Sequence, residues 1–409
     1  MNSREGSVFS STGAFLAVFL SFNVVVWVVF LSAFGDSQTA PSSNARPPAG
    51  HLKPLGWHRA AEPGVDTVEV VPEPGEFFEK YVRIGQPLLM KGAARNMEAF
   101  RFWTDEHLRT QYGEVEVEVE EGKKENRSRG LWSMRVDEFL NEYQQGDIYM
   151  VTSVPPEMAG EVGLLGCLLC GGFTENLQDA VIWFSSGDTK SVLHYDAVDN
   201  INCVIDGQKE FFLVDKKEKD SAFIDHPEGS FSGVDVDKVD MYKYPGLGKV
   251  PWYNVTMAPG DCFFIPYRWF HQVRSSASRS LAINIWFVHL LRFDSEDCRS
   301  KGKLPEFKSL GQFELASDTE QLRGEMVNFI NELEEAVLQI PDLPQFATNF
   351  EISDKESLKI FHVLDRDKDD RVSIDEVYSC DINDVQTQAP GLIRKDSNGD
   401  HSERSHNEL

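Results

Sequence analysis

Over residues 180–287 the chain runs as short apolar segments separated by turn residues, and this constrains its fold more than any other feature. The segments cover 181–184, 192–196, 202–205, 211–214, 261–265 and 281–288, bounded by Gly, Pro and Asp. They are of strand rather than helix length, and together they predict a jelly roll or barrel of short strands. Upstream, strands are expected over 67–71, 87–90 and 147–153. Residues 114–120 alternate Glu and Val strictly, which would turn valines inward and glutamates to water; the like charges would discourage edge-to-edge pairing. Helices are expected over 74–82, 100–112 and 133–144. The fold class is mainly β: a double-stranded β-helix (jelly roll) with flanking helices over 65–293, followed by a small α-helical region and preceded by an apolar helix.

Within this β region stands His194-Tyr195-Asp196, with His271 75 positions after Asp196. If 190–196 is a strand, His194 and Asp196 share a face, because side chains alternate with period two. Residues 259–273 read as a turn, a buried strand, a second turn, and a strand start that presents His271. Two imidazoles and one carboxylate suit a non-haem Fe(II) centre with open positions opposite. Zinc accepts the same donors.

On these motifs, His194-Tyr195-Asp196 and the run 259–273, the chain resembles the JmjC-type, cupin-like oxygenases that use Fe(II) and 2-oxoglutarate, in particular their small hydroxylase branch. The resemblance covers residues 65–292. It implies that His194, Asp196 and His271 ligate iron, that 2-oxoglutarate is the co-substrate, and that a protein or peptide side chain is hydroxylated. Lys209 follows the turn Asp206-Gly207-Gln208 and opens the apolar run 211–214. A lysine directed into a barrel needs an anion, because desolvating an ammonium alone is costly; the far carboxylate of 2-oxoglutarate is that anion in the resembling family. The alternative is a stem along the rim with its charge in water. The resemblance also assigns co-substrate contacts to Tyr149, Ser191, Asn200 and Asn284; each could equally be a satisfied core polar group.

Acidic residues outnumber basic ones 66 to 40, for a net charge of -26, which repels phosphate backbones and excludes nucleic acid as a direct partner. Residues 13–34 carry no formal charge, long enough to cross a bilayer and longer than a signal peptide's apolar core. Ala33-Phe34-Gly35 also offers a cleavage site. Residues 1–35 are therefore a signal anchor or a cleaved signal, with 36–64 a flexible linker. The ending His406-Asn407-Glu408-Leu409 resembles tetrapeptides read by the retrieval receptor of the endoplasmic reticulum. Asn126 and Asn254 each open a glycosylation acceptor triplet. The expected address is the lumen of that organelle, as a type II membrane protein or a soluble one.

Six cysteines accompany this address, and in an oxidising lumen some could pair. Cys203 and Cys262 lie in apolar runs and read as buried thiols. Cys167-Leu168-Leu169-Cys170 has redox spacing without the strand-to-helix junction that lowers a thiol pKa, so a local disulfide or idle thiols are expected.

The remainder is helical. In the connector over 294–350, Leu322, Met326, Phe329, Leu333, Ala336 and Ile340 alternate four- and three-residue steps, a seam that packs back onto the barrel or pairs in a homodimer. Residues 351–390 contain an EF-hand pattern. Its Ca2+ ligands would be Asp365, Asp367, Asp369, the Arg371 carbonyl, Ser373 directly or through water, and bidentate Glu376. Asp370 stands where glycine is usual, a left-handed position that Asp tolerates at some cost. Over 391–409, an acidic tail, Asp396-Ser397-Asn398-Gly399-Asp400 begins like a second loop without an outgoing helix, a decayed or accidental partner. The competing class is a non-catalytic lumenal calcium-binding module that keeps the barrel.

Overall fold

In the computed structural model the described residues are 46–123, 131–222, 231–331, 333, 337–390 and 392. The apolar run 13–34, Asn126, Ala336 and the tail 393–409 lie outside them. Among the described residues no helix is long and apolar enough to cross a membrane.

The β body is built from β1 (Asp66–Val68), β2 (Leu88–Met90), β3 (Glu116–Glu121), β4 (Trp132–Arg135), β5 (Ile148–Ser153), β6 (Gly163–Leu165), β7 (Leu177–Ser185), β8 (Asp199–Asp206), β9 (Lys209–Val214), β10 (Tyr253–Met257), β11 (Cys262–Ile265), β12 (Phe270–Ser275) and β13 (Ser280–Phe287). Nine of them form one sheet in the order β1-β2-β11-β8-β13-β7-β5-β3-β4, and β10-β9-β12 form a second. This is mainly β and consistent with the expected cupin-type jelly roll. Leu89, Val204, Phe211, Leu213, Phe263, Ile265 and Trp269 fill the space between the sheets. Phe77, Phe139, Phe173, Phe184, Phe264 and Phe287 fill the main core, together with helices Asp105–Tyr112 and Val136–Glu142.

Several local expectations are corrected. Residues 100–112 break into helices Glu98–Phe102 and Asp105–Tyr112, because Thr104 turns extended and its hydroxyl accepts from His107 N, capping the second. The expected helix 133–144 begins only at Val136, since Trp132–Arg135 pairs with β3. That pairing, with β5 on the other side, makes the Glu/Val strand internal, so its glutamates guard no free edge. Val117 and Val119 do point inward.

The linker is also shorter than expected. Leu52 N donates to Val239 O at 2.7 Å, Glu62 N donates to Trp252 O at 2.7 Å, and Leu55 is buried among Phe212, Val214 and Val236. Too few apolar residues mark 48–62 for periodicity to reveal this docking.

The cysteine expectations are overturned in pairing. Cys203 faces Cys262 across β8 and β11, and the two form a disulfide. Cys170 pairs with Cys298 of helix Ser295–Lys301, leaving Cys167 a buried free thiol.

Beyond β14 (Phe307–Ser309), which pairs with β6, the chain forms a second core. Leu322, Met326 and Phe329 of helix Asp318–Asn331 are buried there with Phe346, Ile360, Phe361 and Val377, so this part of the seam is covered by the chain itself. The helix does not reach Ile340: Val337–Gln339 is a strand, β15, paired antiparallel with β16 (Arg371–Ser373). The partner of the acidic loop therefore comes from before it in the chain.

Candidate metal centre

Alternation along the strands assembles the polar lining of the site. On β8, Ile201, Cys203 and Ile205 enter the main core while Val204 enters the space between the sheets, so Asn200 and Asn202 face that space too. The same rule turns Asn284 of β13, Trp183 of β7 and Tyr149 of β5 inward, opposite Ile283, Ile182 and Met150 of the main core. In the small sheet, Phe211 and Leu213 bring Lys209 to the inner face. Gly207 enables the preceding reversal: its φ is +77°, and a Cβ there would lie 2.4 Å from Arg279 O.

His194, Asp196 and His271 converge, with one donor atom of each mutually within 4.8 Å. His194 Nε2 lies 3.9 Å from Asp196 Oδ1, and His271 Nε2 lies 3.7 Å from Asp196 Oδ2. His194 Nδ1 donates to Val192 O at 2.9 Å and His271 Nδ1 to Trp269 O at 3.0 Å. Each ring therefore carries its proton on Nδ1 and offers a lone pair at Nε2, toward the shared centre. Asn200 Nδ2 donates to Asp196 Oδ2 at 3.1 Å, orienting the carboxylate.

The route to this convergence differs from the expected strand over 190–196. That segment is irregular, with isolated bridges at Lys190 and His194. His194 pairs with His271 through two backbone bonds, 3.0 and 2.7 Å, and its ring stacks on Phe231. Backbone pairing, in place of alternation, brings the two imidazoles together.

Lys209 is 5% exposed and has no hydrogen-bond or ion-pair partner among the described residues. The Trp183 ring, 5.8 Å away, is its neighbour, and Tyr149 packs on the same ring. Burial lowers its pKa from 10.5 to about 8. Trp183 Nε1, Asn200 Oδ1 and Asn202 Oδ1 are also buried without partners. A buried cation beside an indole whose N–H has no partner fits a carboxylate anion such as that of 2-oxoglutarate, and the His-Asp-His donors fit Fe(II).

Other assignments come out unevenly. Asn284 is bonded to Asn202, which sequence reasoning missed although it lies two positions after Asn200 on the same strand face. The Ser191 hydroxyl accepts from Val273 N at 2.8 Å and donates to Val192 O at 3.1 Å, so it ties the bridging segment to β12. Also missed was buried Asp199, which accepts from Tyr267 N at 2.7 Å and pairs with His289 Nδ1 at 2.9 Å.

In the second cluster, Asp365, Asp367 and Glu376 bring donor atoms within 4.8 Å of one another between helices Asp354–Leu364 and Ile374–Tyr378. Asp369 is outside that group of three. Lys368 and Asp370 both have positive φ, 62° and 63°. The Asp367 carboxyl is held above its ordinary pKa by desolvation and then by the neighbouring carboxylates. Asn254 is exposed on β10, its amide donating to Glu210 at 3.1 Å.

Residues 74–292 match the family model described as a cupin-like domain. Over 231 residues the chain is 26% identical to Jumonji C domain-containing protein 5 of Drosophila melanogaster, covering 52% of this chain and 57% of that one. It is 25% identical over 224 residues to lysine-specific demethylase 8 of Xenopus tropicalis, 52% of this chain and 50% of that one. Over 117 residues it is 31% identical to tRNA wybutosine-synthesizing protein 5 of Homo sapiens, 28% and 36% of the two chains. The chain spans about half the length of the first two relatives.

Proposed function

The chain belongs to the cupin-like domain family, and on that footing we propose that it is an Fe(II)- and 2-oxoglutarate-dependent oxygenase that hydroxylates a protein side chain. The convergence of His194, Asp196 and His271 carries the reading. Bound Fe(II) and the keto acid would supply the oxidising chemistry with dioxygen as the oxidant: one oxygen atom of O2 would enter a substrate C–H bond and the other the succinate left when the keto acid loses carbon dioxide. The protein's part is positioning and exclusion of water. His194 and His271 present neutral Nε2 atoms, and Asn200 holds the Asp196 carboxylate in place. Lys209 takes the far carboxylate of the keto acid, with Tyr149 and Trp183 beside it. This pairing removes the burden of an unmatched buried charge, which a purely structural barrel has no reason to retain.

Succinate release by the purified full chain, supplied with Fe(II), ascorbate and 2-oxoglutarate, tests the activity. Equal turnover by wild type and His194→Ala would refute it and favour the non-catalytic module. A 16-dalton mass gain on a trapped partner identifies hydroxylation. Loss of a methyl group with formaldehyde release would instead support demethylation, the activity in the name of one relative.

The remaining assignments extend the proposal. The two disulfides suit an oxidising compartment and support a lumenal address, together with exposed Asn254. The loop 365–376 binds Ca2+ through Asp365, Asp367 and Glu376, with Asp369, the Arg371 carbonyl and Ser373 completing the shell.

A further inference from the structure

The turn Pro266 to Trp269 closes with Trp269 N donating to Pro266 O at 3.0 Å, and its third residue, Arg268, has φ +64°. Such a turn position favours glycine, since a Cβ is crowded there. Arg268 holds it nonetheless, and the turn it makes touches both sides of the metal centre. Arg268 N donates to Asp196 O at 2.9 Å, and Trp269 O accepts from His271 Nδ1.

The Arg268 side chain reaches a different part of the molecule. Its guanidinium lies over the Tyr267 ring, 4.8 Å from the centroid, and ion-pairs with Asp375 on helix Ile374–Tyr378. Tyr267 is fixed in turn by the bond from its N–H to Asp199 and by stacking on His289. The turn that orients two metal-site residues is thus held from outside by a carboxylate of the C-terminal helical region.

We propose that Arg268 is a positioning residue for the His194–Asp196–His271 centre, and that Asp375 fixes it in that role. The inference rests on the metal-centre reading above. It explains an arginine where the backbone asks for glycine: glycine would ease the turn and lose the tether. An ion pair serving stability alone would change melting without changing metal affinity.

The test uses the full chain and Co(II) as a spectroscopic probe of the centre. Arg268→Gly and Asp375→Asn are each expected to weaken Co(II) affinity roughly 10-fold, the range for groups that orient metal ligands. The double variant should lose little more than either single one. Arg268→Gly should melt no lower than wild type, while Arg268→Lys recovers part of the affinity. Wild-type Co(II) affinity in both single variants would overturn the proposal while leaving the metal centre intact. Failure of wild type to bind Co(II), or undiminished binding by His271→Ala, would refute the metal-centre reading itself and this proposal with it.

Discussion

Lys209→Met should stabilise the ligand-free protein while weakening its binding of 2-oxoglutarate. The ammonium is buried with no acidic partner among the described residues, and its pKa falls from 10.5 to about 8 through desolvation alone. At about 1.36 kcal/mol per pKa unit, that difference corresponds to a cost of about 3 kcal/mol for the charged form. Below pH 8 both folded and unfolded chains carry the proton, so the folded state bears the cost in full. As pH rises from about 8 to 10.5 the folded chain is already neutral while the unfolded chain still holds its proton, and wild-type stability climbs. Methionine has a similar length and no charge. The variant should therefore unfold about 3 kcal/mol later than wild type at neutral pH in urea titrations, with the gap closing across that window. Its affinity for 2-oxoglutarate should drop roughly 100-fold, as when one member of a buried ion pair is removed. A variant less stable than wild type at neutral pH, or a difference indifferent to pH, would refute the argument.

Three further outcomes follow from the same structure. The Cys203–Cys262 disulfide spans 59 positions, so replacing both cysteines with serine should cost about 4 kcal/mol of unfolding free energy by urea titration. Buried Arg323 donates to Glu320 at 2.9 Å and to Cys380 O at 3.1 Å. Arg323→Ala should cost about 3–5 kcal/mol by stranding Glu320, opening residues 318–390 to limited proteolysis before the β body. Glu376→Gln should weaken calcium binding in a titration followed by calorimetry. Proton competition should also appear as pH falls through the raised pKa of Asp367; unchanged affinity would remove Glu376 as a ligand.

What the sequence reveals of this fold follows from how local each signal is. Alternation is local, so the apolar runs mark β7, β8, β9, β11 and β13, whereas Phe211-Phe212-Leu213-Val214 is apolar on both faces and leaves Lys209 open between barrel and rim until its burial is seen. Register is nonlocal. Nothing in the spacing of Cys203 and Cys262 states that β8 and β11 lie side by side, so two strand cysteines read as separate thiols until the pairing is known. The same limit hides β15, whose three residues form a strand only because β16 pairs with them. Other misses left a usable signal. Thr104 followed by Asp105 and Glu106 is a helix start inside the span read as one helix.

The C-terminal region reads from sequence as an appendage, and its packing argues otherwise. Val198 and Val288 of the β body lie in the same core as Met326, Phe361 and Val377, with Ala197 and Trp286 against it. Ala197 and Val198 directly follow Asp196, and Asp199 anchors the turn before His271. The polypeptide that presents the site carboxylate is thus packed on one side by the jelly roll and on the other by the helices around the acidic loop. Charged ties repeat the pattern, Arg268 with Asp375 and Arg292 with Asp381 and Asp384. Close-packed interiors transmit displacement because few voids absorb it. Helix Ile374–Tyr378 thus meets the Asp196 segment at two places, through the core that Val377 shares with Val198 and through the Arg268–Asp375 pair behind the turn bonded to Asp196 O.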